Sequence, residues 1–239
     1  MSIRLGLLAS GGGTTAKYLA TEVCGPNIDG VEIGCAISSL TNAGNVGKMR
    51  EFEIPTYVVR LKDFPDDPMG FGERILEILH HHGVTHVLQC GWMPKTPDNV
   101  TSAFKGRIFN QHPGLTPEFG GEKMAGKTVH DAVLRFRDKV LDATGRTFSK
   151  TVVVAHRSIS ESDAGPIVQS GNVPVFAKAK VDDLQDLALP VEWRVMRGLV
   201  LDIRNDNVQE QQIPSLVLPG EGHLLAEAKA EAIAAAKKH

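Results

Sequence analysis

The chain has 239 residues, of which 42% are hydrophobic, 23% charged and 5% aromatic. This profile is typical of a globular protein with one sizeable core. The formal net charge of -2 argues against a protein that wraps nucleic acid, which needs a basic surface. The sequence has no apolar run near the roughly 20 residues that span a bilayer. We therefore expect no nucleic-acid or membrane partner and a cytoplasmic location.

Neither the cysteines nor the histidines are spaced to hold a metal. Cys24, Cys35 and Cys90 are far apart and form no CxxC pair, which argues against a zinc site or a disulfide framework. The run His80–His82 ends a predicted helix just before Gly83, and three consecutive helical residues point in three directions. We expect no metal site.

The first half of the chain alternates predicted strands with predicted helices. Strands are predicted over Ile3–Ala9, Val31–Ser39, Thr56–Val59, His86–Gln89 and Arg107–Asn110. Helices are predicted from a Thr14 cap to Val23, over Met69–His82 and, as a short helix, before the fifth strand. This alternation predicts a Rossmann-like α/β fold, with a mostly parallel sheet and helices on both faces. Ligands of such sheets bind beyond the carboxyl ends of the strands.

The second half predicts a different order of elements. A helix is predicted over Lys127–Phe136, and two strands follow over Thr151–Ile159 and Pro166–Val175. A long helix is predicted from Asp182 to Arg204, and an Ala-rich helix lies near the C-terminus. We expect one domain over residues 1–205 and a C-terminal extension over residues 206–239 that ends in this helix.

Three glycines, Gly11–Gly13, separate the first strand from the first helix. Glycines let backbone N–H groups approach an anion, and the helix N-terminus and the hydroxyls of Thr14 and Thr15 add further donors. The loop is neither GxGxxG nor GxxxxGK[ST], so neither a dinucleotide nor a nucleoside triphosphate is specifically indicated. Taken alone, the loop fits a tight turn and a phosphate site equally well.

Asn110 and His112 lie two residues apart at the end of the fifth strand, so both side chains point to one side. An amide donor beside an imidazole suits acyl transfer, because one can stabilise an oxyanion and the other can move a proton. A structural role, in which both side chains form hydrogen bonds to nearby backbone groups, explains the presence of Asn110 and His112 equally well. Asp163 lies on a predicted turn, where an aspartate often caps its own turn, and His156 alone is expected to be structural.

Together these segments resemble the folate-dependent formyltransferase family, most closely its members that act on glycinamide ribonucleotide. The matching segments occur in family order: Leu8–Thr15, Cys90–Met93, Asn110–Leu115, Val154–His156, Asp163–Val168 and Val173–Phe176. The most specific element is Asn-x-His-Pro followed by Asp-x-Gly-Pro-Ile. The chain departs from the family with Pro94 where arginine is common, with Glu118 for a lysine, and with an insertion of about ten residues near 137–150.

The resemblance implies a formyltransferase fold, with residues 1–205 as the catalytic domain. The implied reaction transfers a formyl group from the cosubstrate 10-formyltetrahydrofolate to the primary amine of a phosphorylated small molecule. Glycinamide ribonucleotide, an intermediate of purine biosynthesis, is the implied acceptor. The number of subunits is not fixed by the sequence, and a homodimer is compatible with it.

The resemblance also implies roles for particular residues. Asn110 would hold the formyl oxygen, His112 would stabilise charge or move the amine proton, and Asp163 would orient His112. His156 would support the Asp163 loop. The acceptor would contact Gly12, Gly13, Thr14, Thr15 and Glu192, and the folate would contact Gly91, Trp92, Met93, Ser160, Glu161 and Ser162.

Two alternatives stay open at this point. A formyltransferase that acts on an amino sugar nucleotide would share Asn110, His112 and Asp163 and differ in its acceptor pocket. A non-catalytic phosphate- or nucleotide-binding α/β module would explain the glycine loop. It would not explain why the three polar residues occur together in family order.

Overall fold

The computed structural model describes residues 2–237. Its strands are Ile3–Ala9 (β1), Val31–Ser38 (β2), Thr56–Val58 (β3), His86–Gln89 (β4), Ile108–His112 (β5), Lys150–Arg157 (β6) and Ile167–Pro174 (β7). Its helices are Thr14–Cys24 (α1), Gly44–Arg50 (α2), Pro68–His81 (α3), Asp98–Ala103 (α4), Lys127–Thr144 (α5), Val181–Arg204 (α6) and Gly222–Ala236 (α7). A short 3-10 helix covers Leu61–Asp63.

The strands form one sheet in the order β3-β2-β1-β4-β5-β6-β7. The first five strands are parallel to their neighbours, whereas β6 runs antiparallel to both β5 and β7. The predicted mostly parallel sheet is therefore confirmed. In the β5–β6 pairing, Asn110 lies opposite His156 and His112 lies opposite Val154. This register places two of the predicted site residues side by side on neighbouring strands.

Helices cover both faces of the sheet, as predicted, and divide the core into two layers. One layer contains buried side chains of α1, α5, α6 and α7, including the fully buried Phe136. The other contains those of α3 and α4, including Phe71. Leu7 and Leu8, adjacent in β1, belong to opposite layers, because successive side chains of a strand point to opposite faces.

Several details differ from the sequence predictions: β5 continues two residues beyond its predicted end, to His112, and three further differences concern helices. Gly13, with φ of 66°, caps α1, and Thr14 is the first helical residue and provides no side-chain cap. Helix α5 continues to Thr144 because buried Val140 extends its apolar stripe, and Gly145, with φ of 72°, ends it. Helix α2 was not predicted, since two glycines in seven residues give a weak helical signal.

The C-terminal helix α7 packs along α5. Leu224, Ala228 and Ala232 bury its apolar side, and Lys139 of α5 pairs with Glu227 and Glu231. Arg135 of α5 also pairs with Glu231 at 3.0 Å. The C-terminal extension is thus in contact with the main body. No helix within residues 2–237 combines the length and apolar composition that crossing a membrane requires.

The buried hydroxyl of Thr151, in β6, has no hydrogen-bond partner among residues 2–237. Thr151→Val keeps the side-chain shape and removes this unsatisfied group, so it should raise the free energy of unfolding by about 1 kcal/mol. The control is Thr101→Val, which removes a hydroxyl that donates to Asp98 O at 3.1 Å and should lower stability by a similar amount. Denaturant unfolding measures the free energy of unfolding of both variants. A clear loss of stability in Thr151→Val would show that the Thr151 hydroxyl does have a hydrogen-bond partner.

Candidate functional site

A cavity of about 950 Å³ opens at the carboxyl ends of β1, β4 and β5. Every residue that the sequence analysis assigned to catalysis or binding lines it: Gly12, Gly13, Thr14, Thr15, Gly91, Trp92, Met93, Asn110, His112, His156, Ser160, Glu161, Ser162, Asp163 and Glu192. These residues come from both halves of the chain. Residues of two loops that follow strands, Gly11–Thr15 and Asn110–Pro113, both line the cavity.

The glycine loop owes its shape to close packing against α2. Gly13 has φ of 66°, and a Cβ added to it would lie 2.3 Å from the Asn45 Cβ, so this position requires glycine. The Asn45 side chain donates to Ala9 O at 3.3 Å and accepts from Ser38 Oγ at 3.2 Å. The loop is therefore held from behind, while Gly12 faces open space.

Asn110, His156 and Asp163 bring three polar atoms together. Asn110 Nδ2 lies 3.2 Å from both Asp163 Oδ1 and His156 Nε2, and these last two atoms are 3.3 Å apart. In this nearly equilateral triangle the two acceptors subtend only about 60° at Nδ2, whereas the two N–H bonds diverge by about 120°. One hydrogen can serve both acceptors, which leaves the other for a carbonyl oxygen in the cavity.

His112 is 4% exposed, and both of its ring nitrogens have neighbours. Nε2 lies 2.9 Å from Phe119 O; because a carbonyl only accepts, Nε2 carries the hydrogen and donates it. In the neutral ring, Nδ1 then has the lone pair and lies 3.8 Å from Asp163 Oδ1. Burial lowers the pKa of His112, while Asp163 and the bond to Phe119 O act against this shift. The ring is thus a neutral base beside a carboxylate that would stabilise its charged form.

Asp163 is held by the segment that precedes α5. Gly121 N donates to Asp163 Oδ2 at 2.8 Å, and a Cβ added to Gly120 would lie 2.5 Å from the Asp163 Cβ. Burial raises the pKa of Asp163, but the neighbouring His156 and His112 side chains and the bond from Gly121 N outweigh it and lower the pKa to about 2. This lowering of the Asp163 pKa from its ordinary value of 3.8 contributes about 2 kcal/mol to the stability of the folded protein. The contribution is lost as the pH falls from about 4 to 2.

Glu192, on α6, is a buried carboxyl group in the cavity wall. It is 7% exposed, and burial raises its pKa to about 7, with the Gln111 side chain partly opposing the shift. Burial, with a smaller contribution from the Glu192 charge, raises the pKa of the Cys90 thiol to about 12. Glu192 therefore changes protonation near neutral pH, whereas Cys90 stays a thiol.

The residues assigned to folate binding differ in their exposure. The Trp92 ring is buried against Phe71, with ring centroids 6.2 Å apart, whereas Met93 is 64% exposed at the cavity. Met93 N donates to Ser10 Oγ at 2.8 Å, which fixes the backbone at this turn. Ser160 and Glu161 are exposed on the facing loop.

Sequence reasoning missed the loop over residues 121–126 and His130, which also line the cavity. His130 is 1% exposed, its Nδ1 lacks a partner in the described part of the chain, and burial lowers its pKa to about 4. A signal was present, because Gly120, Gly121 and Gly126 mark a loop between Asn110-x-His112 and a helix. Within residues 2–237 no cluster of three or more His, Cys, Asp or Glu side chains could hold a metal ion.

Comparison with known proteins gives a consistent result. A family model described as formyl transferase matches residues 3–198. The chain is 28% identical over 207 residues to the chloroplastic phosphoribosylglycinamide formyltransferase of Arabidopsis thaliana, covering 86% of this chain and 67% of that protein. It is 23% identical over 192 residues to the Haemophilus influenzae phosphoribosylglycinamide formyltransferase, covering 80% and 82%. The solved phosphoribosylglycinamide formyltransferase of Anaplasma phagocytophilum matches with a TM-score of 0.70 and 26% identity, covering 91% and 98%.

Glu192 gives a pH-dependent stability prediction. Its pKa in the folded protein, about 7, exceeds the ordinary value of 4.5, so ionisation weakens the folded state increasingly as the pH rises between these values. Glu192→Gln should therefore exceed wild type in unfolding free energy by up to about 3 kcal/mol near pH 8, and the difference should shrink towards about pH 4.5.

Urea unfolding at several pH values measures this difference. The control is Glu73→Gln at an exposed position of α3, which should show no such trend. A constant difference between Glu192→Gln and wild type at all pH values would mean that Glu192 has an ordinary pKa.

Proposed function

The chain belongs to the formyl transferase family, and on this basis we propose that it transfers the formyl group of 10-formyltetrahydrofolate to the primary amine of glycinamide ribonucleotide. The observation that carries the proposal is the meeting of Asn110, His112 and Asp163 in one cavity wall. The cavity, at about 950 Å³, is at the upper end of the usual range for ligand sites and has room for two substrates.

Asn110 acts on the formyl oxygen. The amine nitrogen attacks the formyl carbon, and the carbonyl oxygen becomes negatively charged in the tetrahedral intermediate. The Asn110 N–H that is not shared by Asp163 and His156 donates to this oxygen. A donor that the surrounding groups already orient needs little rearrangement as the charge develops.

His112 moves the proton that the reaction releases. Its Nε2–H is fixed on Phe119 O, so the lone pair of Nδ1 accepts the proton from the attacking amine. Asp163 stabilises the imidazolium that forms. The imidazolium then returns this proton to the folate nitrogen as the C–N bond to the folate breaks. Tetrahydrofolate leaves, and the formyl group stays on the acceptor nitrogen.

The acceptor binds at the glycine loop and at Glu192. Gly12, Gly13, Thr14 and Thr15 surround the N-terminus of α1, where backbone N–H groups and the helix dipole favour a phosphate. Glu192, with a pKa of about 7, is partly ionised near neutral pH and accepts from the acceptor amine. The folate lies along Gly91–Met93 and Ser160–Ser162.

No observation favours either alternative. The relatives named above are phosphoribosylglycinamide formyltransferases, and none is named for an amino sugar nucleotide. A non-catalytic phosphate-binding module would not require the buried His112 ring between Phe119 O and the Asp163 carboxylate, so this arrangement does not support that alternative.

The catalytic roles predict that His112→Ala and Asp163→Asn each lower kcat by about a hundredfold or more, because each removes proton transfer or its electrostatic support. Release of tetrahydrofolate under saturating substrates measures this loss. The matched control is His223→Ala, at an exposed position of α7 outside the cavity, which should keep wild-type turnover. Wild-type kcat in both site variants would show that the residues are not catalytic.

The acceptor is tested separately from the chemistry. With 10-formyltetrahydrofolate, the protein should formylate glycinamide ribonucleotide and leave an amino sugar nucleotide unmodified, as product analysis by mass spectrometry will show. Turnover with the amino sugar nucleotide alone would exclude the proposed acceptor and retain formyl transfer. Absence of turnover with either acceptor would contradict the proposed function.

A further inference from the structure

The segment 118–121 contacts both ends of the His112–Asp163 pair. Phe119 O accepts from His112 Nε2 at 2.9 Å, and Gly121 N donates to Asp163 Oδ2 at 2.8 Å. The segment therefore sets which ring nitrogen of His112 carries the hydrogen and where the carboxylate lies. A shift of this backbone would disturb both groups at once.

Lys229, on α7, holds this segment from the side. Its ammonium donates to Glu118 O at 3.0 Å and to Gly120 O at 2.7 Å, the carbonyls on either side of Phe119. Both bonds are charge-assisted and hence stronger than bonds between neutral groups. The Glu118 side chain does not compete for Lys229, because it accepts from Leu216 N at 3.2 Å.

The helix that carries Lys229 is itself fixed. Its apolar side packs on α5, where Lys139 lies 3.2 Å from Glu227 and 2.8 Å from Glu231. Arg146, just after α5, pairs with Glu221 at the start of α7. The ion pairs of Lys139 and Arg146 join the predicted insertion to the C-terminal extension, and the extension lies outside the family match over residues 3–198.

We propose that Lys229 is a positioning residue for the reaction, which holds segment 118–121 so that Phe119 O and Gly121 N set the geometry of His112 and Asp163. The inference deepens the proposed function and rests on it for its kinetic consequence. Its structural consequence is that Nε2 of His112 keeps its hydrogen on Phe119 O, and this does not depend on which acceptor the protein uses.

The test compares Lys229→Met, which removes the donors and the charge, with Lys229→Arg, whose guanidinium can bind both carbonyls. The matched control is Lys139→Met, which has the same residue change, a half-buried position and a place in the same α5–α7 contact. Lys139 pairs with side chains of α7 and does not bind segment 118–121. If Lys229→Met and Lys139→Met have comparable thermal stability, α7 is docked equally well in both. A difference in activity between them then reports the position of segment 118–121.

Two readouts are measured on each variant. In ¹⁵N-histidine-labelled protein, the His112 Nε2–H resonance, assigned by its loss in His112→Gln, reports the bond to Phe119 O directly. Lys229→Met should lose or broaden this resonance and lower kcat at least tenfold, with KM for either substrate changed less than threefold. Lys229→Arg should restore both, and Lys139→Met should retain both.

Several results would overturn the proposal. These are an unchanged His112 resonance in Lys229→Met, equal losses in Lys139→Met, or a folded Lys229→Arg that resembles Lys229→Met. If Lys229→Met does not fold, Lys229→Gln, which has a shorter side chain and no charge, replaces it with the same expected loss. If wild type shows no formyl transfer, the proposed function fails, but the resonance still decides whether Lys229 positions His112.

Discussion

The candidate site depends on one carboxylate that is largely, though not fully, shielded from solvent. Asp163 lies within 3.3 Å of Asn110 Nδ2, His156 Nε2 and Gly121 N, and 3.8 Å from His112 Nδ1. A buried charge is costly unless polar groups surround it, so these neighbours must stay in place for the loop to fold. The φ of 55° at Asp163 and the absence of a side chain at Gly120 follow from the same need for close approach. The carboxylate that we propose as the orienting group of His112 thus also shapes its surroundings.

Much of the fold was predictable because local signals agreed with the final packing. The alternation of apolar strands and helices placed β1 and β4 at their observed bounds, and the long helix α6 began within one residue of its prediction. The antiparallel direction of β6 was not predictable, because strand direction depends on how the chain returns to the sheet. Helix α2 has weak intrinsic propensity and is stabilised by Asn45, whose contacts with Ser38 and Ala9 exist only after folding.

The candidate site was predictable to the extent that single residues carry its chemistry. Asn110, His112 and Asp163 are recognisable in the sequence because an amide, an imidazole and a carboxylate have few substitutes in these roles. Contacts made by backbone atoms leave no such trace, since Phe119 contributes a carbonyl that every residue has and Gly121 an N–H that every residue except proline has. Lys229 was missed for a related reason: a lysine in an Ala-rich helix looks like an ordinary solvated residue, and its two acceptors are carbonyls about 110 positions away.

The pairing of β5 with β6 restricts how the chain can change in length. Asn110 faces His156 across two antiparallel strands, and a shift of one residue would turn one of these side chains to the opposite face of the sheet. Insertion or deletion of a single residue inside either strand would therefore separate Asn110 from His156, although both residues would still be present in the sequence. The connection over residues 145–149 is free of this restriction, because it precedes the paired positions. Related sequences should accordingly vary in length between α5 and β6 and keep a constant count within the two strands.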